Sequence, residues 1–232
     1  MKTVELPDIG EVQLIKHARS RSIRITISPN GKVKVTLPTY VPYQAGVAFA
    51  KSKRDWILDN IEPIEIIKDG SAVGKFHHLY FRPSSTNATV TSRRKGSVLI
   101  VAYPDRMRWD SPDVQAAANK IAIKALREQA ESLLPGRLRD LATKHDFEFK
   151  SVSVRQLKAR WGSCNSKKEI TLNLFLMQLP WGLIDYVLLH ELTHTKALHH
   201  GPEFWSIFEA ALPGAKQRRK SLKSYKPQFE AH

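Results

Sequence analysis

The segment His190-Glu191-Leu192-Thr193-His194 constrains the fold of this chain more than any other stretch of its sequence. With about 3.6 residues per helical turn, side chains four positions apart lie one above the other on a single helix face. Two imidazoles at this spacing can bind one metal ion without distorting the backbone. The neighbours Val187-Leu188-Leu189 and Leu192 are apolar, which predicts a buried helix and disfavours two exposed surface histidines.

Glu191 lies about a quarter turn from the face that the two histidines share. It is therefore predicted to reach a water molecule at the metal and not the metal itself. Fixed imidazole ligands, an open coordination position and a carboxylate that accepts a proton are the parts of a zinc hydrolase. The segment predicts Zn²⁺ as cofactor, His190 and His194 as ligands, and Glu191 as the catalytic base.

A catalytic zinc needs a third protein ligand, and His199 and His200 follow closely. Neither would share the face of the first two histidines in a continuous helix. The helix, predicted from 183 to about 198, must therefore end first. Gly201-Pro202 supplies a stop and the start of a further helix. His200 would then lie just before a helix N-terminus, close enough to turn back to the metal, with His199 as the alternative.

The first half of the chain has the pattern of strands. Residues 23–27 and 33–37 alternate apolar and polar side chains, and Asn30-Gly31 between them is a strong hairpin signal. A helix is predicted after Pro42, ending before Pro63. Further strands are predicted at 76–81, 88–91 and 98–103.

The second half is mostly helical. Ser111-Pro112-Asp113 has the residue types of a helix start. Helices are predicted to about 134, then over 137–145, 183–198 and 202–212, and from about 215. Strands are predicted at 149–157 and 169–174, joined by a turn at 160–165. Strands first and helices later predict an α+β fold, with a β-rich region over 1–110 and a metal-binding catalytic domain over 111–232.

Charge and cysteine content limit the partners and the compartment. The 37 Lys and Arg exceed the 22 Asp and Glu by 15, which attracts polyanions such as nucleic acid or nucleotides, although a well-solvated surface has the same composition. The basic run of residues 216–223 allows the same two interpretations. A single cysteine, Cys164, permits no disulfide within the chain. A polar N-terminus and short apolar runs predict a cytoplasmic protein without a membrane partner.

Several motifs together resemble the YgjP-like family of metal-dependent hydrolases. They are Arg160-Trp161-Gly162-Ser163-Cys164, Leu172-Asn173, Asp185-Tyr186-Val187 leading into the histidine motif, and His200-Gly201-Pro202-Glu203-Phe204-Trp205. Residues 21–37 and 52–57 resemble the family's opening strands and first helix. The family is similar to the SprT/Spartan and WLM peptidases. The resemblance implies a zincin fold for the C-terminal part and selects His200 over His199. Metzincins share the spacing, but they have glycine where this chain has Ala197.

The resemblance also places Arg160 and Trp161 near the metal pocket. Arg160 could bind a substrate carbonyl, carboxylate or phosphate, or it could stack on Trp161 and hold the turn. Asn173 is a candidate for binding an extended substrate, with support of a turn as the favoured alternative. Cys164 could be a fourth ligand, although a small buried cysteine is the favoured interpretation.

These observations predict a zinc-dependent hydrolase, and specifically a metallopeptidase that acts on a peptide or protein. One alternative keeps the site but changes the substrate, giving a nucleotide pyrophosphatase that hydrolyses a phosphoanhydride. Another is a nucleic-acid-binding protein with a structural zinc, which would require a fourth protein ligand.

Overall fold

The computed structural model describes residues 1–27, 33–60, 66–158, 160–225 and 228–229. The chain divides into two compact units, Met1–Glu65 and Ile66–Ala231. Strands dominate the first part of the sequence and helices the later part, which confirms the α+β prediction. None of the helices in the described ranges is long and apolar enough to span a membrane.

The first unit is a four-stranded sheet with two helices. Its elements are β1 (Lys2–Leu6), β2 (Gly10–Lys16), β3 (Arg24–Ile27), β4 (Val33–Leu37), α1 (Tyr43–Ser52) and α2 (Arg54–Asn60). The strand order is β1-β2-β4-β3, with β2 and β4 parallel. Val12, Leu14 and Val35 are fully buried in its core, because alternate residues of a strand point to the same face.

Two predictions for this unit can be compared with its structure. β3 and β4 pair antiparallel, with Ile27 opposite Val33, as expected for the two arms of a hairpin. The predicted turn at Asn30-Gly31 lies outside the described residues. The single helix predicted after Pro42 is instead two helices, α1 and α2. The Ser52 hydroxyl donates to the carbonyl of Phe49 where α1 ends, since serine competes for helix carbonyls.

The second unit begins with another four-stranded sheet. It contains β5 (Ser71–Val73), β6 (His77–Ser84), β7 (Thr91–Lys95) and β8 (Val98–Pro104) in the order β5-β6-β8-β7. β6 and β8 were predicted, but the strand expected at 88–91 is wrong. β7 starts at Thr91 and is exposed along its whole length. An edge strand with two solvated faces has no apolar alternation, so its sequence lacks the signal that was used.

A single long helix, α3 (Pro112–Lys144), follows the sheet. The predicted break at Pro135-Gly136 is therefore wrong. Pro135 removes one backbone donor from the helix, but Leu134 and Leu138 on either side are fully buried. The packing of these leucines offsets the lost hydrogen bond and keeps the helix continuous.

A three-stranded sheet, a 3₁₀ helix and three α-helices complete the second unit. They are β9 (Ser151–Arg155), β10 (Gly162–Cys164), β11 (Glu169–Asn173), a 3₁₀ helix (Leu174–Gln178), α4 (Trp181–Thr193), α5 (Pro202–Ala211) and α6 (Ala215–Lys223). The strand order is β10-β11-β9, with β9 and β11 parallel. β10 occupies part of the segment predicted as a turn, and it pairs antiparallel with β11.

The predicted boundary near residue 110 falls inside the second unit, between β8 and α3. One hydrophobic core joins both sides of this point, since Leu79 and Leu99 belong to the same cluster as Leu126 and Leu188. The division of the chain lies instead between Glu65 and Ile66. The assignment of catalysis to residues 111–232 remains a prediction.

Gly74 provides a test of the packing between the first sheet of this unit and α3. It has a φ of +67°, and a Cβ at this position would lie 2.5 Å from Oε1 of Gln129. That oxygen accepts a hydrogen bond from the backbone N–H of Lys75, and Nε2 of Gln129 donates to the carbonyl of Val73. Gly74→Ala should therefore lower the free energy of unfolding by at least about 1–2 kcal/mol, the usual strain of a left-handed residue.

Gly136→Ala is the matched control, because a Cβ there meets no atom within 4 Å. It should raise the free energy of unfolding by about 0.5–1 kcal/mol, since alanine favours a helix interior. Denaturant unfolding followed by circular dichroism measures both changes. Equal effects of the two substitutions would contradict the packing described for Gly74.

Candidate metal centre

Helix α4 carries the histidine motif and ends earlier than predicted. It begins at Trp181 and its last residue is Thr193, about five residues short of the expected end. The hydroxyls of Thr193 and Thr195 donate to the carbonyls of Leu189 and Leu192. Threonine hydroxyls compete with the backbone for helix carbonyls. The chain consequently leaves the helix at His194.

The early end of α4 lets the chain return to the histidines. α5 starts at Pro202 with Gly201 as its N-cap residue, as Gly201-Pro202 predicted. Nε2 of His200 lies 3.1 Å from Nε2 of His190, and Nε2 of His194 lies 3.3 Å from the same atom. The structure thus brings together the three histidines that the sequence nominated. His199 is exposed and does not belong to this cluster.

The spacing of these nitrogens fits a metal ion. Zinc binds imidazole nitrogen at about 2.0–2.1 Å with tetrahedral angles, which separates two ligand nitrogens by about 3.3 Å. The separations from His190 to His194 and to His200 are close to this value, and the ligand atoms of all three histidines lie within 4.8 Å of one another. Burial, and then the charges of His194 and His200, lower the pKa of His190 to about 3. His190 is therefore neutral, as a metal ligand must be.

The turn after α4 fixes the orientation of His194. Its Nδ1 lies 3.2 Å from the carbonyl oxygen of Ala197. Because a carbonyl only accepts hydrogen bonds, Nδ1 carries the proton and Nε2 presents a lone pair to the cluster. Ala197 is not among the described residues with positive φ. The turn therefore does not require the glycine that metzincins have at this position.

Aromatic rings hold the three imidazoles in place. The fully buried ring of Phe204, in the first turn of α5, lies 4.7 Å from the rings of His194 and His200 and 5.0 Å from that of His190. Tyr186 stacks on His190 at 6.1 Å. Sequence reasoning missed the role of Phe204, although its place just after Gly201-Pro202 puts it at the start of the helix that follows His200.

Glu191 is buried against strand β10. Its residue surface is 5% exposed, and a Cβ built on Gly162 would lie 2.8 Å from Oε1 of Glu191. Only glycine leaves room for the carboxylate at this distance. Burial raises the pKa of Glu191 to about 8, while the charge of Arg160 acts in the opposite direction. Gly162 is a second site residue that sequence reasoning missed, although it stands inside the family-like motif.

The proposed substrate-binding residues have different outcomes. Arg160 is exposed, and its charge reaches Glu191, so its side chain remains available to a substrate. Trp161 is partly buried and packs edge-on against Tyr225, with ring centroids 6.5 Å apart. Among the described cation–π pairs, none joins Arg160 to Trp161.

Asn173 supports the chain around the site and has no amide atom left for a substrate. Its Oδ1 accepts from the backbone N–H groups of Leu157 and Phe175. Its Nδ2 donates to the carbonyls of Leu157 and Arg160. The residue is also only 4% exposed. These contacts correct the substrate-binding interpretation and agree with support of a turn.

Cys164 lies outside the histidine cluster found among the described residues. Burial, and then the charge of Glu191, raise the pKa of its thiol to about 11. A protonated thiol is a poor metal ligand. The arrangement favours a half-buried structural cysteine over a fourth ligand.

Comparison with known proteins identifies the family. A model described as the YgjP-like metallopeptidase domain matches residues 21–225. The chain belongs to the YgjP-like family. It therefore carries a metallopeptidase-family domain, as the sequence motifs predicted, and such a domain implies a divalent metal ion.

Two solved structures are also similar to part of the chain. The metallopeptidase zymogen abylysin of Pyrococcus abyssi is 25% identical over 43% of this chain and 100% of its own, with a TM-score of 0.38. The metallopeptidase zymogen jannalysin of Methanocaldococcus jannaschii is 20% identical over 44% of this chain and 91% of its own, with a TM-score of 0.33. A comparison with curated proteins found no match.

The environment of Glu191 predicts a pH dependence of stability in chelator-treated protein. The folded chain holds this proton up to a pH of about 8, whereas an exposed glutamate releases it near 4.5. A carboxyl with a raised pKa stabilises the fold below its ordinary pKa and loses that contribution as pH rises through the folded value. The stability of the natural chain relative to Glu191→Gln should fall between these two pH values.

Thermal unfolding of both proteins across this pH range measures the difference. Both proteins retain the three histidines, so the difference between their stabilities reports on the carboxyl of Glu191. A difference that is constant with pH would contradict the raised pKa.

Proposed function

We propose that this chain is a zinc-dependent metallopeptidase in which His190, His194 and His200 bind the ion and Glu191 is the general base. The observation that carries the proposal is the convergence of three imidazole nitrogens at the helix that also carries the buried carboxylate of Glu191. The family assignment supports peptide hydrolysis at such a site. Three protein ligands leave the fourth tetrahedral position open, as catalysis requires.

The chain's own residues account for the movement of the proton. When bound, a zinc ion supplies Lewis-acid polarisation of the scissile carbonyl and acidifies water. Glu191 accepts a proton from the attacking water and passes it to the leaving amine. A base works best when its pKa lies near the working pH. Burial raises the pKa of Glu191 to about 8 in the metal-free chain, and the charge of a bound cation would lower that pKa.

The position of β10 supports an extended peptide as substrate. β10 forms one edge of its sheet among the described strands, since the order is β10-β11-β9. Gly162, the first residue of β10, lies against Glu191. An extended peptide can add to a free strand edge through backbone hydrogen bonds. A peptide paired there would pass next to the catalytic carboxylate.

The two alternatives have less support. The support for a nucleotide pyrophosphatase is the net charge of +15, which attracts polyanionic substrates. Comparing the turnover of peptides and of nucleotides by one purified sample would distinguish this activity from that of a peptidase. A structural zinc would require a fourth protein ligand. The cluster among the described residues contains only the three histidines.

The proposed ligands predict a metal content of about one zinc ion per chain. His190→Ala, His194→Ala and His200→Ala should each lose most of the metal, because each removes one of three ligands. His199→Ala is the matched control, since His199 is adjacent to His200 but lies outside the cluster. Elemental analysis and competition with a zinc chelator measure the effect. A greater loss in His199→Ala than in His200→Ala would contradict the assignment.

Replacement of Glu191 tests the mechanism. Glu191→Gln keeps the size of the side chain but removes the base, so peptide turnover should fall by about 10²–10⁴-fold. Zinc content and folding should be retained, because Glu191 is not a proposed ligand. Cleavage of a mixed peptide library, followed by mass spectrometry, measures turnover. Loss of zinc in this variant would make Glu191 a ligand, and unchanged turnover would exclude it as the base.

Gly162→Ala examines the same carboxylate without removing it. The added methyl must displace Glu191, so turnover should fall while zinc remains bound. Gly182→Ala in α4 is its control, because a Cβ there meets nothing within 4 Å. Equal turnover of the two variants would show that the position of the carboxylate against β10 is unimportant.

A further inference from the structure

Helix α6 is fixed firmly to the second unit. Ala215 in its first turn is fully buried. The backbone N–H of Gly214, just before the helix, donates to Oε1 of Glu209 at 2.7 Å. Beyond its end, the hydroxyl of Tyr225 donates to the carbonyl of Gln178 at 2.6 Å. Side chains on α6 therefore have defined positions relative to the metal centre.

One side chain of α6, that of Arg219, lies on the side of the helix next to the histidines. Its guanidinium carbon is 5.5 Å from the ring centroid of Trp205. The Trp205 ring is in turn 5.5 Å from Phe204 and 6.5 Å from His200. Arg219 is thus part of the surroundings of the cluster.

The other cations of α6 are placed differently. With about 100° between successive helical residues, Arg219 lies only about 40° from buried Ala215, whereas Lys220 lies about 140° away. The basic run of the sequence is therefore not one uniform surface. Arg219 borders the metal centre, and Lys220 belongs to the outer face of the helix.

Arg219 has no ion-pair partner among the described residues, and it is exposed. A positive charge beside a metal centre opposes the binding of a cation. The charge of Arg219 therefore does not help the histidines to bind a metal ion. An anion that binds beside the histidines would be attracted by this charge. Stacking on an indole leaves the planar guanidinium donors free for a bidentate contact with a carboxylate.

We propose that Arg219 binds a carboxylate of the peptide substrate close to the scissile bond and so gives the enzyme a preference for acidic peptides. The proposal rests on the peptidase function proposed above. The carboxylate belongs either to an acidic side chain or to the C-terminus of the substrate. Both present the same two oxygens to the guanidinium, and the experiment distinguishes them.

The proposal is tested by comparing the cleavage and binding of three matched peptide pools. All have acetylated N-termini and the same randomised positions. The neutral pool contains Gln and a C-terminal amide, the acidic pool replaces Gln with Glu, and the third pool keeps Gln but has a free C-terminal carboxylate. Cleavage is measured with the natural chain, and equilibrium binding with zinc-loaded Glu191→Gln, which does not consume the peptides.

One of the two carboxylate pools should bind and be cleaved about tenfold better than the neutral pool, the usual effect of a charged hydrogen bond. The pool that is preferred identifies the source of the carboxylate. Arg219→Gln should abolish the preference, so that the carboxylate pools are bound and cleaved no better than the neutral pool. The variant should remain folded, and its zinc content should not fall, because the substitution removes a charge that opposes cation binding. Arg219→Lys should restore only part of it, because lysine lacks the planar fork.

Lys220→Gln is the matched control, since it removes the same charge from the outer face and should keep the preference. A preference that survives in Arg219→Gln, or the absence of any preference in the natural chain, overturns the proposal. Cleavage of the neutral pool that depends on Glu191 tests the peptidase function separately. Its absence would contradict the proposed function, whereas its presence without a carboxylate preference would contradict only the role of Arg219.

Discussion

The close approach of three imidazole nitrogens is the constraint on which the rest of the second unit depends. Nε2 of His190 lies 3.3 Å from Nε2 of His194 and 3.1 Å from Nε2 of His200, so a positive charge on His190 would be repelled by a charge on either neighbour. Burial of His190 keeps it neutral. The carbonyl of Ala197 orients His194, and the ring of Phe204 contacts the imidazoles from the neighbouring helix. These contacts limit the reorganisation needed to bind a metal ion.

Charge around the cluster is distributed with a clear asymmetry. Glu191 is the acidic group closest to the histidines in sequence, and it is buried against Gly162. Arg160 lies near this carboxylate, and Arg219 lies near the histidines through Trp205. Two cations beside the proposed metal site make its surroundings attractive to anions. Part of the chain's excess of basic residues therefore lies close to the histidines, as Arg160 and Arg219, where it can affect which substrates bind as well as solubility.

Much of the fold could be predicted from local sequence patterns. The predictions that failed did so because they depended on contacts that no local pattern records. Strands β3 and β4 and helix α4 were predicted because alternation and helical periodicity are properties of neighbouring residues. The predicted break at Pro135 was wrong, because Leu134 and Leu138 pack into a core that distant segments share. The same core contains residues from both sides of the predicted boundary near residue 110. β7 was missed because an exposed edge strand has no apolar pattern.

The sequence by itself determined the relation of His190, Glu191 and His194, because helix geometry fixes side chains four and one positions apart. It nominated His200 only together with His199, and the family resemblance decided between them. The tertiary structure alone brought Gly162, Phe204 and Arg219 to the site from a strand and two other helices. No local period relates these residues to the histidine motif. Their proximity is set by how the elements pack, and packing depends on contacts between segments that are remote in the chain.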